Sequence, residues 1–207
     1  MRPFTRPILL AALLLLLPCA AARTQEEGRR PVEVTEGAVG ISFDPPPGCV
    51  RLPEETLAAI IKQGGAPLKY GCASRQRDVL AFVLMVASGG KGEKGMADFE
   101  RGFRDSQKQA HPEVEWLGRE VLKSNGVEWV RLSFRESPSD SALRDEVYIA
   151  DWAGQFIVFT FSTPSSRYAA RGADFEKSLK SIVLELEVIA PVVKESPARG
   201  QRRKIKH

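Results

Sequence analysis

The chain is 207 residues long, 43% hydrophobic and 27% charged, with 30 basic and 26 acidic side chains and a formal charge of +4. That apolar content is enough to build a buried core and excludes a wholly disordered chain. The positive excess sits at the end, in Lys194, Arg199, Arg202, Arg203, Lys204 and Lys206 against Glu195, so the body of the chain carries no basic signature of a nucleic-acid binder.

Arg2 and Arg6 precede an apolar run over residues 8–17, and Ala20-Ala21-Ala22 supplies the small residues that signal peptidase reads. Residues 1–22 therefore read as a secretory signal peptide, since the run falls short of the roughly 20 apolar residues of a membrane span. A lipidated Cys19 is the second reading, but Pro18 stands where a small residue is needed. No later stretch is long enough to span, so an exported protein, periplasmic or secreted, is expected. Residues 23–33 read as a flexible leader, 34–190 as a single domain and 191–207 as a basic, disordered tail.

Residues 38–43 (AVGISF) predict a strand stopped by Pro45-Pro46-Pro47-Gly48, because prolines cannot donate to a ladder. Residues 52–62 carry Pro53, Glu54 and Glu55 at the start and Leu57, Ile60 and Ile61 at helical spacing, which predicts a helix ended by Gly64-Gly65. Residues 68–74 predict a strand. So do residues 78–87 (DVLAFVLMVA), whose continuous apolar run suits a sheet interior, with a buried helix as the alternative. Residues 89–95 (GGKGEKG) predict a mobile loop that lacks the spacing of a phosphate-binding loop.

Met96, Phe99 and Phe103 recur on one face of a predicted amphipathic helix over 96–109, closed by Pro112. Asn125-Gly126 between alternating segments 115–123 and 127–135 predicts a hairpin. On its second strand Val130, Leu132 and Phe134 face the core and Trp129, Arg131 and Ser133 a partly wet side. A second hairpin, 146–163, turns at Ala153-Gly154 and forms the centre of an antiparallel sheet. A helix is expected mainly over 174–180, interrupted upstream by Gly172, and a last strand within 182–189.

Once the signal is removed two cysteines remain, Cys49 and Cys72, and an even pair in an oxidising compartment predicts a disulfide. A catalytic thiol would need a neighbouring base that this sequence does not place nearby. His111, near Glu113 and Glu115, reads as a solvated loop histidine rather than a metal ligand. No Gly-x-Ser-x-Gly elbow occurs. No catalytic residue, metal site or cofactor is expected. Phe99, Phe103, Trp116, Trp129 and Trp152 are the candidate lining of a ligand or partner surface, against packing under a helix as the plainer role.

Laid end to end, these elements predict an α+β fold, an antiparallel sheet covered by helices in an α/β/α sandwich. Residues 40–48 (GISFDPPPG), 151–156 (DWAGQF) and 175–182 (FEKSLKSI) carry a resemblance to the PsbP-like family across residues 34–186. That fold is shared by an extrinsic subunit of the photosynthetic oxygen-evolving complex and by a Ran-binding nuclear import factor. Cys49 departs from the family, where an aromatic residue is common. The resemblance implies an accessory domain that binds other proteins and carries over no functional residue.

The expected function is that of a non-enzymatic accessory or binding protein of the bacterial envelope, monomeric, contacting a protein or envelope component. The alternative is a carrier of a small apolar ligand or lipid, with its pocket between helix 96–109 and the sheet.

Overall fold

A computed structural model describes residues 31–64, 66–88 and 92–186. The expected signal peptide, Cys19, the basic tail with His207, and residues 89–91 of the glycine-rich segment lie outside the described residues. In chain order the elements are β1 (Val32–Glu36), β2 (Val39–Phe43), β3 (Cys49–Arg51), α1 (Glu54–Gly64), β4 (Leu68–Ser74), β5 (Leu80–Ala87), α2 (Gly92–Ala110), β6 (Glu115–Ser124), β7 (Val127–Arg135), β8 (Leu143–Trp152), β9 (Gln155–Pro164), α3 (Tyr168–Ser181) and β10 (Val183–Leu186).

Seven strands form one antiparallel sheet in the order β3-β4-β5-β9-β8-β7-β6, and β1, β2 and β10 form a second, smaller sheet with β2 in the middle. The long β6–β7 and β8–β9 hairpins set the register of the large sheet. At their tips Asn125 and Gly126 have φ of 50° and 78°, and Ala153 and Gly154 have 51° and 79°. Two successive positive φ values match the twist of the flanking strands, which is why Asn-Gly and Ala-Gly turn here. The expected central hairpin is central: β9 lies fourth of the seven strands, with β5 and β8 on either side.

Strand alternation sends apolar side chains to both faces of this sheet. On one face Phe82, Leu84, Leu132, Phe134, Val147, Ile149 and Val158 meet α1 through Leu57, Ile60 and Ile61, and α2 through Met96, Phe99 and Phe103. On the other, Tyr70, Val83, Trp129, Tyr148, Ile157, Phe159 and Phe161 meet the small sheet through Ile41 and Phe43, and α3 through Phe175 and Leu179. The helix-covered sheet expected from the sequence is present, with a second sheet sharing one of the two outer layers. Close docking of α1 depends on Gly71, where a Cβ would lie 3.0 Å from Cδ1 of Leu57 and of Phe82.

Cys49 and Cys72 join neighbouring strands β3 and β4 in a disulfide with a Cα–Cα distance of 5.5 Å, closing a segment of 23 positions around α1. Such a loop closure is worth roughly 3 kcal/mol through the unfolded chain.

Four expectations are corrected. β1 begins at Val32, inside the segment read as leader, and of its five residues only Val34 is buried. From Gly92 the glycine-rich segment is already helical, as the first turn of α2. Gly172 does not interrupt α3, which runs unbroken from Tyr168 to Ser181; a Cβ there would lie 3.3 Å from the Tyr168 ring, so the glycine leaves that ring room. The side of β7 read as partly wet is covered: Trp129 is 1% exposed in the core beneath the small sheet, and Ser133 is buried in a polar network.

Candidate functional site: a half-open cavity under the second helix

Near the C-terminal end of α2 the sheet and helix do not close on each other. The space between them, about 50 Å³, has room for about three or four waters. Its walls are apolar, with Leu80, Phe82, Phe103 and Phe134 among them, while Gln107, His111, Glu136, Asp145, Thr160 and Ser162 supply polar atoms.

The polar groups arrive from α2, the end of β7, β8 and β9. Gln107 lies in the last turn of α2, and its backbone oxygen accepts a hydrogen bond from the His111 N–H at 2.8 Å, which carries the imidazole past the helix end. Glu136 follows β7 directly, its N–H donating to the Leu143 carbonyl at 3.0 Å. Asp145 on β8 pairs in register with Ser162 on β9, and Val147 with Thr160. Those alternate positions bring Asp145, Ser162 and Thr160 to the face that α2 covers.

The electrostatics are those of acids without cations. The Ser162 hydroxyl donates to Asp145 Oδ1. Burial pushes the Asp145 carboxyl up to about 7; the Ser162 bond opposes this and the charge of neighbouring Glu146 adds to it. Burial likewise pushes Glu136 up to about 7, with the Asp145 charge contributing. Burial lowers His111 below its ordinary value. His111 Nε2 is 3.6 Å from Glu136 Oε1. That is too long for a hydrogen bond, and a neutral imidazole makes the contact polar rather than ionic. Among the described residues no Lys or Arg lines the cavity, and no three His, Cys, Asp or Glu donors converge to hold a metal ion.

Gln107, 8% exposed, lines this cavity beside His111.

This arrangement makes a pH prediction. Asp145 binds its proton more tightly folded than unfolded between its ordinary 3.8 and about 7, so its contribution to stability is complete at low pH and is lost as pH rises through about 7. Asp145→Asn keeps an oxygen for the Ser162 hydroxyl and cannot ionise. It is expected to be more stable than the wild type at pH 8 by on the order of 2–4 kcal/mol, with the advantage vanishing near pH 4. Urea unfolding of both proteins at the two pH values checks this.

The aromatic residues expected to line one surface are divided between the two faces. Phe99 stacks near Phe156 at 4.5 Å, Phe103 approaches Phe134 at 6.1 Å, and Trp116 lies 4.9 Å from Phe134 with the Arg104 guanidinium 4.4 Å over its ring. Trp129 packs on Phe159 at 5.9 Å across the sheet, and Trp152 borders that same core. Only Phe103 of the five lines the cavity. His111 is corrected too: its side chain is 17% exposed and borders the cavity, because the helix end turns it inward. Sequence reading passed over Glu136 and Asp145 altogether. An acid at the head of an apolar strand was the one local signal.

The described fold defines an antiparallel α+β domain with its largest sheet covered on both faces, and this is the PsbP-like fold, which Mog1 shares. Cyanobacterial PsbP from Synechocystis sp. PCC 6803 superposes with a TM-score of 0.57 at 15% identity, over 79% of this chain and 98% of that one. A point mutant of Mog1 superposes with a TM-score of 0.50 at 11% identity, over 77% and 97%. The Ran-binding protein Mog1p of Saccharomyces cerevisiae gives 0.48 at 11%, over 75% and 95%. At these identities the likeness shows the fold alone. No protein-family model matches the sequence, and no curated protein does. No helix among the described residues is long and apolar enough to cross a membrane.

Proposed function

We propose that the protein is an exported, non-enzymatic binding domain of the bacterial envelope whose cavity under α2 takes a small ligand with a polar head. The observation that carries this reading is a largely apolar cavity under α2 lined by two carboxyls, Glu136 and Asp145, with no cation among its walls. Export is supported by the signal-like pattern of residues 1–22 and by the Cys49–Cys72 bond.

Chemistry argues for binding over catalysis. A serine nucleophile needs an imidazole to take its proton, and here the Ser162 hydroxyl donates straight to Asp145 while His111 faces Glu136. The volume argues against a lipid, since about 50 Å³ is far short of an acyl chain. Screening small polar fragments by NMR tests the reading: shifts confined to Phe103, Gln107 and His111 support it, and a screen that moves none of them overturns it.

A protein partner is the second reading, favoured by β6. This ten-residue strand ends the large sheet, and Leu117 and Val121 along it are 38% and 49% exposed. An unpaired edge of this length is a template for an added strand. Loss of partner capture in a Val121→Lys variant would support it, and unchanged capture would count against it.

A further inference from the structure

Deepening the ligand reading, on which it rests, we infer that the cavity is built for a small primary ammonium compound carrying a short alkyl chain. The head would sit between Glu136 and Asp145, with the Gln107 carbonyl oxygen as a further acceptor, and the chain against Phe103, Phe134 and Leu80.

Three observations select this chemistry. First, the charges in the cavity are of one sign. Glu136 from the end of β7 and Asp145 from β8 are its only acidic groups, burial lowers His111 behind α2 below its ordinary value, and α1, α2, β4, β5 and β9 contribute no charged side chain to the lining. The neighbouring arginines of β7 and β8 are turned to the opposite face of the sheet, where Arg131 and Arg144 are engaged by Glu146. A carboxylate or phosphate entering the cavity would meet like charge in a desolvated place, whereas an ammonium would supply the missing counter-charge.

Second, the cavity supplies acceptors for such a head. Two carboxyls, the Gln107 amide oxygen and the Thr160 hydroxyl all accept, and an ammonium brings three donors. Third, the remaining wall is apolar and the volume small, so the rest of the ligand must be short and apolar. The same geometry does not suit a bare metal ion, which needs three converging ligands that are not found among the described residues.

The test compares n-butylammonium, n-butanol and butyrate, which share a chain and differ in the head. Each is titrated into the disulfide-intact protein by calorimetry, with the Gln107 side-chain amide followed by NMR. Butylammonium is expected to bind best of the three and to bind more tightly at pH 8 than at pH 6, because the carboxyls ionise over that range while the amine stays charged up to about pH 10. In the double variant Glu136→Gln/Asp145→Asn, ammonium affinity is expected to fall roughly ten- to hundredfold, as for loss of a charge-assisted contact, with butanol affinity retained. Butanol or butyrate binding better than butylammonium, or an ammonium affinity unaffected by the double variant, would overturn the ammonium inference and leave the ligand pocket standing. If none of the three binds or moves Gln107, both readings fall. The ranking of the three probes on the wild-type protein is decisive even if the double variant does not fold.

Discussion

Replacing Glu146 with Ala is expected to destabilise the protein by about 3–5 kcal/mol, the usual consequence of stripping one partner from a buried ionic network. Glu146 is 1% exposed, on the face of the large sheet opposite the cavity. Its Oε2 accepts from Arg131 Nε at 2.8 Å and from the Ser133 hydroxyl, and its Oε1 from Arg144 Nε and Nη2 at 3.1 and 3.0 Å. Arg131 also donates to the Tyr168 hydroxyl at 3.1 Å, and the Arg144 guanidinium lies 3.3 Å over the Tyr168 ring, so the network ties α3 to β7 and β8. Burial works to raise the Glu146 carboxyl, but the Arg131 and Ser133 hydrogen bonds outweigh it and hold the group below its ordinary value. Without this carboxylate two half-buried guanidiniums face each other. Urea unfolding at pH 7 gives the number. A loss under about 1 kcal/mol would mean that both arginines swing into water and that the network is dispensable.

Phe159→Ala is expected to cost a similar amount, about 3–5 kcal/mol, by leaving a cavity at the junction of two layers. Phe159 is 1% exposed on the central strand β9. It meets Phe43 of the small sheet edge-on at 5.0 Å, Trp129 of β7 at 5.9 Å and Phe161 at 6.3 Å. Phe159→Leu, which keeps most of the volume, should lose less than about 1.5 kcal/mol. Equal losses for the two substitutions would show that ring geometry, not filled space, is what the site requires.

Sequence pattern reached those features whose cause is local. The β6–β7 and β8–β9 hairpins were legible because period-two alternation and Asn-Gly or Ala-Gly turns are written within a few residues. The disulfide was legible from cysteine count and compartment. β1 was not, because VEVTE buries one side chain and owes its strand to pairing with β2. The polar network misled for a related reason: alternation says which residues share a face, and Arg131 and Ser133 look like a wet one. What buries them is Glu146, brought opposite Ser133 by the β7–β8 register. The cavity was the least legible. A pocket was expected between helix 96–109 and the sheet, but Gln107 and His111 come from the end of α2, Glu136 from the end of β7 and Asp145 from β8. No spacing in the chain announces that they meet.

The small sheet has a consequence for how the chain acquires its structure. β2, near the start of the described chain, takes β10 as a partner, and the Asp44 N–H donates at 2.8 Å to the Ser181 hydroxyl 137 positions later. The β6–β7 and β8–β9 hairpins of the large sheet can form as they emerge, although β5 must wait for β9. The small one cannot be completed until nearly the whole domain has been synthesised. Contacts of such separation delay folding, since the loop they close must be ordered before they stabilise anything. Until β10 arrives, Ile41 and Phe43 lack their full cover, and a newly made chain stays open along that seam.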